Sequence, residues 1–228
     1  RIGRTGRAGA SGDAISLTNA KAVLSLMWIK NNANSGIKGT TVSKLALTDL
    51  LLQANTNNIG EQAGILINDL SDPAATATRV EVTGSTEDNV RIHNSAVTGT
   101  IVFDTCTVKD NSTVSGNQGI FFQTNTTGNL TGTVKNSTLS GNRTIALRAD
   151  AGAGSTANAT FNNNTISVGS LIRGTQVIAV SRAATSSLTF TIHTHPIPRS
   201  IATPTTVFSG RGHARCIGRP QHDLAPPR

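Results

Sequence analysis

The chain has 228 residues, of which 36% are apolar, 3% aromatic with no tyrosine, and 14% charged. This is enough apolar material for a core, but it gives little aromatic area for a compact enzyme core and few residues at the 3.6-residue spacing of a helical bundle. The formal charge of +8 sits at the ends: Arg1, Arg4 and Arg7 open the chain, Arg199, Arg211, Arg215, Arg219 and Arg228 face only Asp223 at the far end, and residues 10–192 hold 12 basic and 11 acidic side chains. A nearly neutral body without clustered Lys, Arg and aromatic residues argues against phosphate binding, so no nucleic-acid partner is expected. No stretch approaches the roughly 20 apolar residues of a membrane span. The opening on Arg1, with no signal peptide, reads as a fragment or a processed product.

Along the chain, short runs with period-two alternation recur: Ala14–Leu17, Gly64–Ile67, Asn89–Ile92, Gly119–Phe122, Thr144–Leu147 and Val177–Val180. After most of them comes a second pattern, an apolar residue, another five positions on, and an Asn three beyond that. Leu24, Ile29 and Asn32 form one set, and Leu47, Leu52 and Asn55 the next. Val82 stands in as a degenerate copy. Phe103, Val108, Asn111 and then Val134, Leu139, Asn142 continue the series; Phe161 and Ile166 follow with Gly169 in the Asn slot, and Ile192 with Ile197 is a weaker sixth. Thr107, Thr138 and Thr165 share the position before the second apolar residue. Gly, Asn, Ser and Thr clusters separate the runs, as corners require.

A unit of about 25 residues with two or three short strands cannot bury its own apolar face, whereas identical units stacked in one direction can. The pattern predicts an all-β chain, a parallel β-helix (solenoid) of about six to seven coils. Inward residues such as Phe103, Val134 and Phe161 would lie in columns, and Asn111 and Asn142 would bond side chain to side chain along the axis. A β-sandwich is the competing architecture, but it gives no reason for an Asn at one fixed offset from two apolar anchors. The expected boundaries are a lead-in at 1–11, the β-helix at 12–195 and a disordered Pro/Arg/His-rich tail at 196–228, since six of seven prolines and four of five histidines fall in the last 36 residues.

The runs GDAISLTNAKAV (Gly12–Val23), SGIKGTTVSKLALTDL (Ser35–Leu50), EDNVRIHNS (Glu87–Ser95) and TVKNSTLSGN (Thr133–Asn142) resemble bacterial right-handed parallel β-helix repeat proteins. Those are mainly large secreted or surface proteins, many of them adhesin-like. The resemblance implies a right-handed coil, an extracellular or cell-surface location, and glycans or matrix and cell-surface components as partners; it specifies stacking and no particular chemistry. Separately, RIGRTGRAGASGDAISL (Arg1–Leu17) resembles motif VI of DEAD-box RNA helicases, which implies that Arg4 and Arg7 contact the γ-phosphate of ATP. The GxxxxGK[ST] loop and acidic Mg²⁺ motif that such a site also needs are absent from the sequence.

Candidate chemistry is sparse. Polysaccharide hydrolysis or lysis on such a scaffold needs carboxyl groups facing each other across a bond, and Glu87, Asp88 and Asp104 with Arg91 are the nearest set, although their offsets do not coincide. Asp69 and Asp72 around Pro73 are candidates for Ca²⁺, which wants six to eight oxygens. His193, His195, His213 and Cys216 are soft ligands at no standard zinc spacing. Cys106 occupies the slot of Ser137 and Asn164 in neighbouring units and lacks a clear His partner. Asn111, Asn125, Asn129, Asn136, Asn142, Asn158 and Asn163 satisfy N-x-[ST] through composition. The expectation is therefore a non-catalytic structural or binding section, with no catalytic residue, cofactor or metal assigned. A polysaccharide lyase or hydrolase and a helicase-derived chimera are the alternatives.

Overall fold

The structure, a computed structural model, describes residues 13–56, 62–111 and 118–166, and the backbone of 167, 175–181, 187–193, 206–209 and 212–216. The chain is all-β, a parallel β-solenoid, with no helix among the described residues. Its strands are β1 (Ile15–Lys30), β2 (Ile37–Gln53), β3 (Ala63–Leu70), β4 (Ala75–Thr83), β5 (Asp88–Asn94), β6 (Thr98–Asp104), β7 (Thr107–Lys109), β8 (Gln118–Thr124), β9 (Asn129–Lys135), β10 (Thr138–Ser140), β11 (Ile145–Ala151), β12 (Thr156–Asn162), β13 (Thr165–Ser167), β14 (Thr175–Ser181), β15 (Ser187–His193), β16 (Thr206–Ser209) and β17 (Gly212–Cys216).

Parallel pairing arranges them in three ladders. The first runs from the start of β1 through β2, β3, β5, β8 and β11 to β14. The second takes the middle of β1 and β2, the start of β4, then β6, β9, β12 and β15. The third takes the ends of β1, β2 and β4, then β7, β10 and β13. The solenoid has about five turns. The backbones of β16 and β17, within the segment 196–228, pair antiparallel with β15 and β14. Residues 1–12 lie outside the described residues, as do Gly169 and Ile197 of the last two repeats.

The anchors stack as columns. Leu24, Leu47, Ala77, Phe103, Val134 and Phe161 are in register, and so are Ile29, Leu52, Val82, Val108, Leu139 and Ile166. Val82 is thus a regular member of the second column, and Ala77 holds the first anchor of its coil, a residue too small to stand out in the sequence. The aromatic rings supply the bulk of the later coils. Phe122 comes inward from the first ladder with its ring 6.2 Å from Phe103 and 6.5 Å from Phe161, nearly parallel to the latter. Gly132 opposite leaves room for it: a Cβ there would collide with the Phe122 ring. Close packing of this kind penalises both removal and addition of a methylene.

The corners repeat as strictly as the columns. Leu26, Asp49, Arg79, Thr105, Asn136 and Asn163 all have positive φ, between 52° and 56°, and sit at the same bend in successive coils between the second and third ladders. Asn31, Ala54, Gly84, Asp110 and Gly141 form a second such column after the third ladder. Because parallel strands donate their N–H groups along the axis, the bends pair too, as in Ala54 N to Thr83 O at 2.9 Å and Asp110 N to Ser140 O at 3.0 Å. The Asn slot satisfies backbone at the next bend. Asn32 Nδ2 donates to Asn55 Oδ1 at 2.6 Å, whose own Nδ2 donates to Ile29 O at 3.2 Å. Asn111 and Asn142 do not join directly as expected. Asn111 donates to Gln118 O at 3.1 Å and accepts from Arg143 N at 2.7 Å, while Asn142 donates to Val108 O and accepts from Asn89. Asn89 reaches inward from β5 and takes the place expected for the neighbouring amide.

Candidate functional site

The outer faces of the first two ladders differ in chemistry. On the first ladder, Leu66, Arg91, Phe121 and Arg148 stand in one column on β3, β5, β8 and β11. The Phe121 ring is buried although it points outward, because two guanidinium groups cover it: Arg91 lies 5.2 Å and Arg148 4.6 Å from its centroid. Arg91 donates to Gln123 Oε1 at 2.7 Å. Arg148 holds Asp150, itself 1% exposed, through two bonds of 3.0 and 2.6 Å. Beside them, Asp88 is 3% exposed and accepts from Gln118 N at 2.8 Å. The Gln118 amide, in the orientation that satisfies both neighbours, donates to Asp88 at 2.6 Å and accepts from Arg148 at 3.2 Å. Burial is the main influence on Asp88 and raises its pKa to about 6, against the opposing pull of the Gln118 N–H and the nearby Arg91. His93 completes the edge, its Nε2 3.0 Å from Asn125 Nδ2.

The second ladder carries a plainer face. β6, β9 and β12 pair over seven consecutive residues without a register shift, and their residues alternate between buried and partly exposed. The outward columns are Thr98–Asn129–Thr156, Thr100–Thr131–Asn158 and Val102–Thr133–Thr160. None of these side chains is charged, and among the described residues none makes a side-chain hydrogen bond. The last column, Asp104–Lys135–Asn162, closes the face with an ion pair of 3.1 Å between its first two members.

The acids nominated by the sequence are occupied as structural caps or pairs. Glu87 accepts from Gln62 N at 2.9 Å and Asp69 from Ser95 N at 2.8 Å. Asp72 is buried and accepts from Leu45 N at 2.7 Å and Ala74 N at 2.9 Å, binding one coil's bend to the previous strand. Asp104 belongs to the second ladder, where Asn136, Lys135 and Thr105 hold its carboxyl below the usual range, so it does not meet Asp88 on the first. Arg91 does lie near Asp88, as the sequence suggested, but it is engaged with Gln123 and Phe121. Cys106 shares its slot with Ser137 and Asn164 as read from the sequence: Cys106 N donates to Ser137 Oγ at 3.0 Å and Ser137 N to Asn164 Oδ1 at 2.9 Å. Its thiol donates to Ala77 O at 3.3 Å, and burial pushes its pKa up to about 11, which suits an inert core group. The side chains of His193, His195, His213 and Cys216, and the helicase-like Arg4 and Arg7, lie outside the described residues.

Gln118, Phe121, Arg148 and Asp150 are the members of this cluster that the sequence reading missed. Their signal was the recurring strand itself. Matching the runs Gly119–Phe122 and Thr144–Leu147 end to end sets Leu147 against Phe122, whereas the true register sets Leu147 beside Ile120 and Arg148 beside Phe121, two residues away. Among the described residues no group of three His, Cys, Asp or Glu side chains is placed to hold a metal ion, and no helix is long and apolar enough to cross a membrane. Compared with protein-family models, curated proteins and solved structures, the chain matches none.

Proposed function

We propose that this chain is a non-catalytic structural and binding section of a bacterial secreted or cell-surface right-handed β-helix protein, adhesin-like, which engages glycans or matrix and cell-surface components through its long outer faces. The observation that carries this reading is the employment of the acids. Asp69, Asp72, Glu87 and Asp88 each accept a backbone N–H from another turn or bend, so their carboxylates hold coils together. A solenoid devotes its repeat to surface, and repeated weak contacts along an extended partner add through effective concentration.

One observation favours the alternative of a polysaccharide lyase or hydrolase: Asp88, raised to about 6 beside Arg91 and Arg148, is an acid tuned toward neutral pH. Its 3% exposure keeps it from a glycosidic bond, and Gln118 takes its accepting oxygen. Incubating the chain with a panel of neutral and uronate polysaccharides discriminates the two. The binding reading expects retention on some polymers with no new reducing ends and no unsaturated products; turnover that disappears in Asp88→Asn replaces it with the enzyme. ATP-dependent RNA unwinding would establish the helicase-derived alternative.

A further inference from the structure

Deepening that reading, we infer that the second ladder's outer face is the binding surface and that its ligand is a neutral, linear polysaccharide lying along the coil axis. The two faces divide the chemistry. On the first ladder, Arg91 is engaged with Gln123 and Arg148 with Asp150, and the two guanidinium groups cover Phe121, leaving little for a partner. On the second, Thr100, Thr131 and Asn158, with Thr133 and Thr160 beside them, present donors and acceptors that no described residue uses. Their spacing is fixed by the sheet, roughly 4.8 Å from coil to coil and about 6.6 Å between alternate residues along a strand.

A regular array of this kind, in unbroken register over three strands, meets a polymer that repeats the same groups at similar intervals. An extended hexose chain offers ring hydroxyls in such a series, and each hydroxyl can donate to or accept from Thr or Asn. Absence of charge on the three columns across β6, β9 and β12 sets the class; the exposed Lys21 and Lys44 pair on β1 and β2, outside that stretch. A polyuronate would gain no cation there, and the ammonium at the edge of the face, Lys135, is held by Asp104. Neutral hydrogen bonds in water are individually weak, so affinity must come from several coils acting on one strand of polymer.

Affinity electrophoresis of the full chain in gels cast with hydroxyethylcellulose, with a linear mannan, or with polygalacturonate tests this, alongside adsorption to ice as a control for a surface that merely orders water. Retardation is expected in at least one neutral gel; any retardation in polygalacturonate through the terminal arginines of this +8 chain should vanish at high salt. The double substitution Thr131→Lys with Thr133→Lys, placed in outward positions and checked for an unchanged β circular-dichroism spectrum, should weaken retention about tenfold. The milder Thr131→Val, which keeps the shape and removes one hydroxyl, should weaken it about threefold. Thr18→Lys with Thr40→Lys, on the exposed first-ladder face of β1 and β2, should leave it unchanged. No retardation in either neutral gel, equal retention of the second-ladder variants, retention by polygalacturonate alone, or adsorption to ice without retention in a neutral gel overturns the assignment. Retention abolished by the first-ladder pair would move the site and leave the binding reading standing; turnover of any polymer would remove both.

Discussion

The first and second ladders share strand length and inward aliphatic columns, yet their outer faces are built to opposite rules. On the first, polar groups are dense and mutually satisfied: Asp88, Gln118, Arg148 and Asp150 form one chain of contacts, with Phe121 packed under two guanidinium groups. On the second, the outward residues of the three columns on β6, β9 and β12 are small, uncharged and unengaged among the described residues, with the Asp104–Lys135 pair at their edge. The difference teaches where a solenoid puts stability and where it leaves surface free. A paired buried network makes neighbouring coils interdependent, whereas a face of independent Thr and Asn residues tolerates change without consequence for the fold.

Substitutions can break or sharpen this contrast. The largest effect belongs to the residue that joins the two ladders. Phe122→Ala removes a ring packed against Phe103, Phe161 and the Gly132 backbone, and should cost about 3–5 kcal/mol in denaturant unfolding. Next comes the first ladder alone. Arg148→Met keeps the stem over Phe121 but leaves the Asp150 carboxylate buried without its guanidinium. The expected loss is about 2–3 kcal/mol in the same unfolding measurement, toward the low end for buried pairs because Arg148 is 22% exposed at its side chain.

The pH profile follows from Asp88. Its folded-state pKa of about 6 lies above the ordinary 3.8, so the folded protein binds this proton more tightly than the unfolded chain does. Asp88 therefore favours folding most below about pH 4, and that contribution declines between roughly pH 4 and pH 6 and is gone above, a change on the order of 2–3 kcal/mol. Asp88→Asn, which keeps an acceptor for Gln118 N, should flatten this slope in melts recorded across roughly pH 4 to 7; an unchanged slope would place its origin elsewhere. The smallest effect is expected on the second ladder. Thr131→Val should shift unfolding by less than about 0.5 kcal/mol, and a much larger loss would mean that this face is bound into the fold as tightly as the other.

The winding was legible because it rests on side-chain size at fixed intervals. Leu24, Leu47, Phe103, Val134 and Phe161 read as equivalent in the sequence and are stacked in the structure. The coil containing Ala77 was harder to align, because its first anchor is a methyl group and Ser85 replaces its Asn, leaving Val82 as the one large residue to go by. The shared slot of Cys106, Ser137 and Asn164 was visible for the same reason as the anchors. The Arg91–Phe121–Arg148 column was not, since it depends on the register of β11 against β8, which period-two alternation leaves open to a shift of two residues. Nor can composition tell which acids turn inward. Asp72 and Asp88 look like corner residues in the sequence, and only the pairing of one turn with the next shows them capping buried backbone.

The corners bear on how such a chain assembles. Six consecutive bends between the second and third ladders are made by Leu26, Asp49, Arg79, Thr105, Asn136 and Asn163, and not one is a glycine. Left-handed backbone disfavours Leu26, Arg79 and Thr105 by about 1–2 kcal/mol, whereas Asp49, Asn136 and Asn163 are of the types that tolerate it, so three of the bends are not written into their own residues. Each is copied from the turn already in place, as a crystal face dictates the next layer. Growth from a seed is then the expected order of folding, and the grammar of the protein is the repeat rather than the residue. Cutting out one whole unit, from Asn136 through Asn162, brings Asn163 into the place of Asn136 at an equivalent bend, and should leave a seam that the remaining turns heal, with the β circular-dichroism spectrum retained.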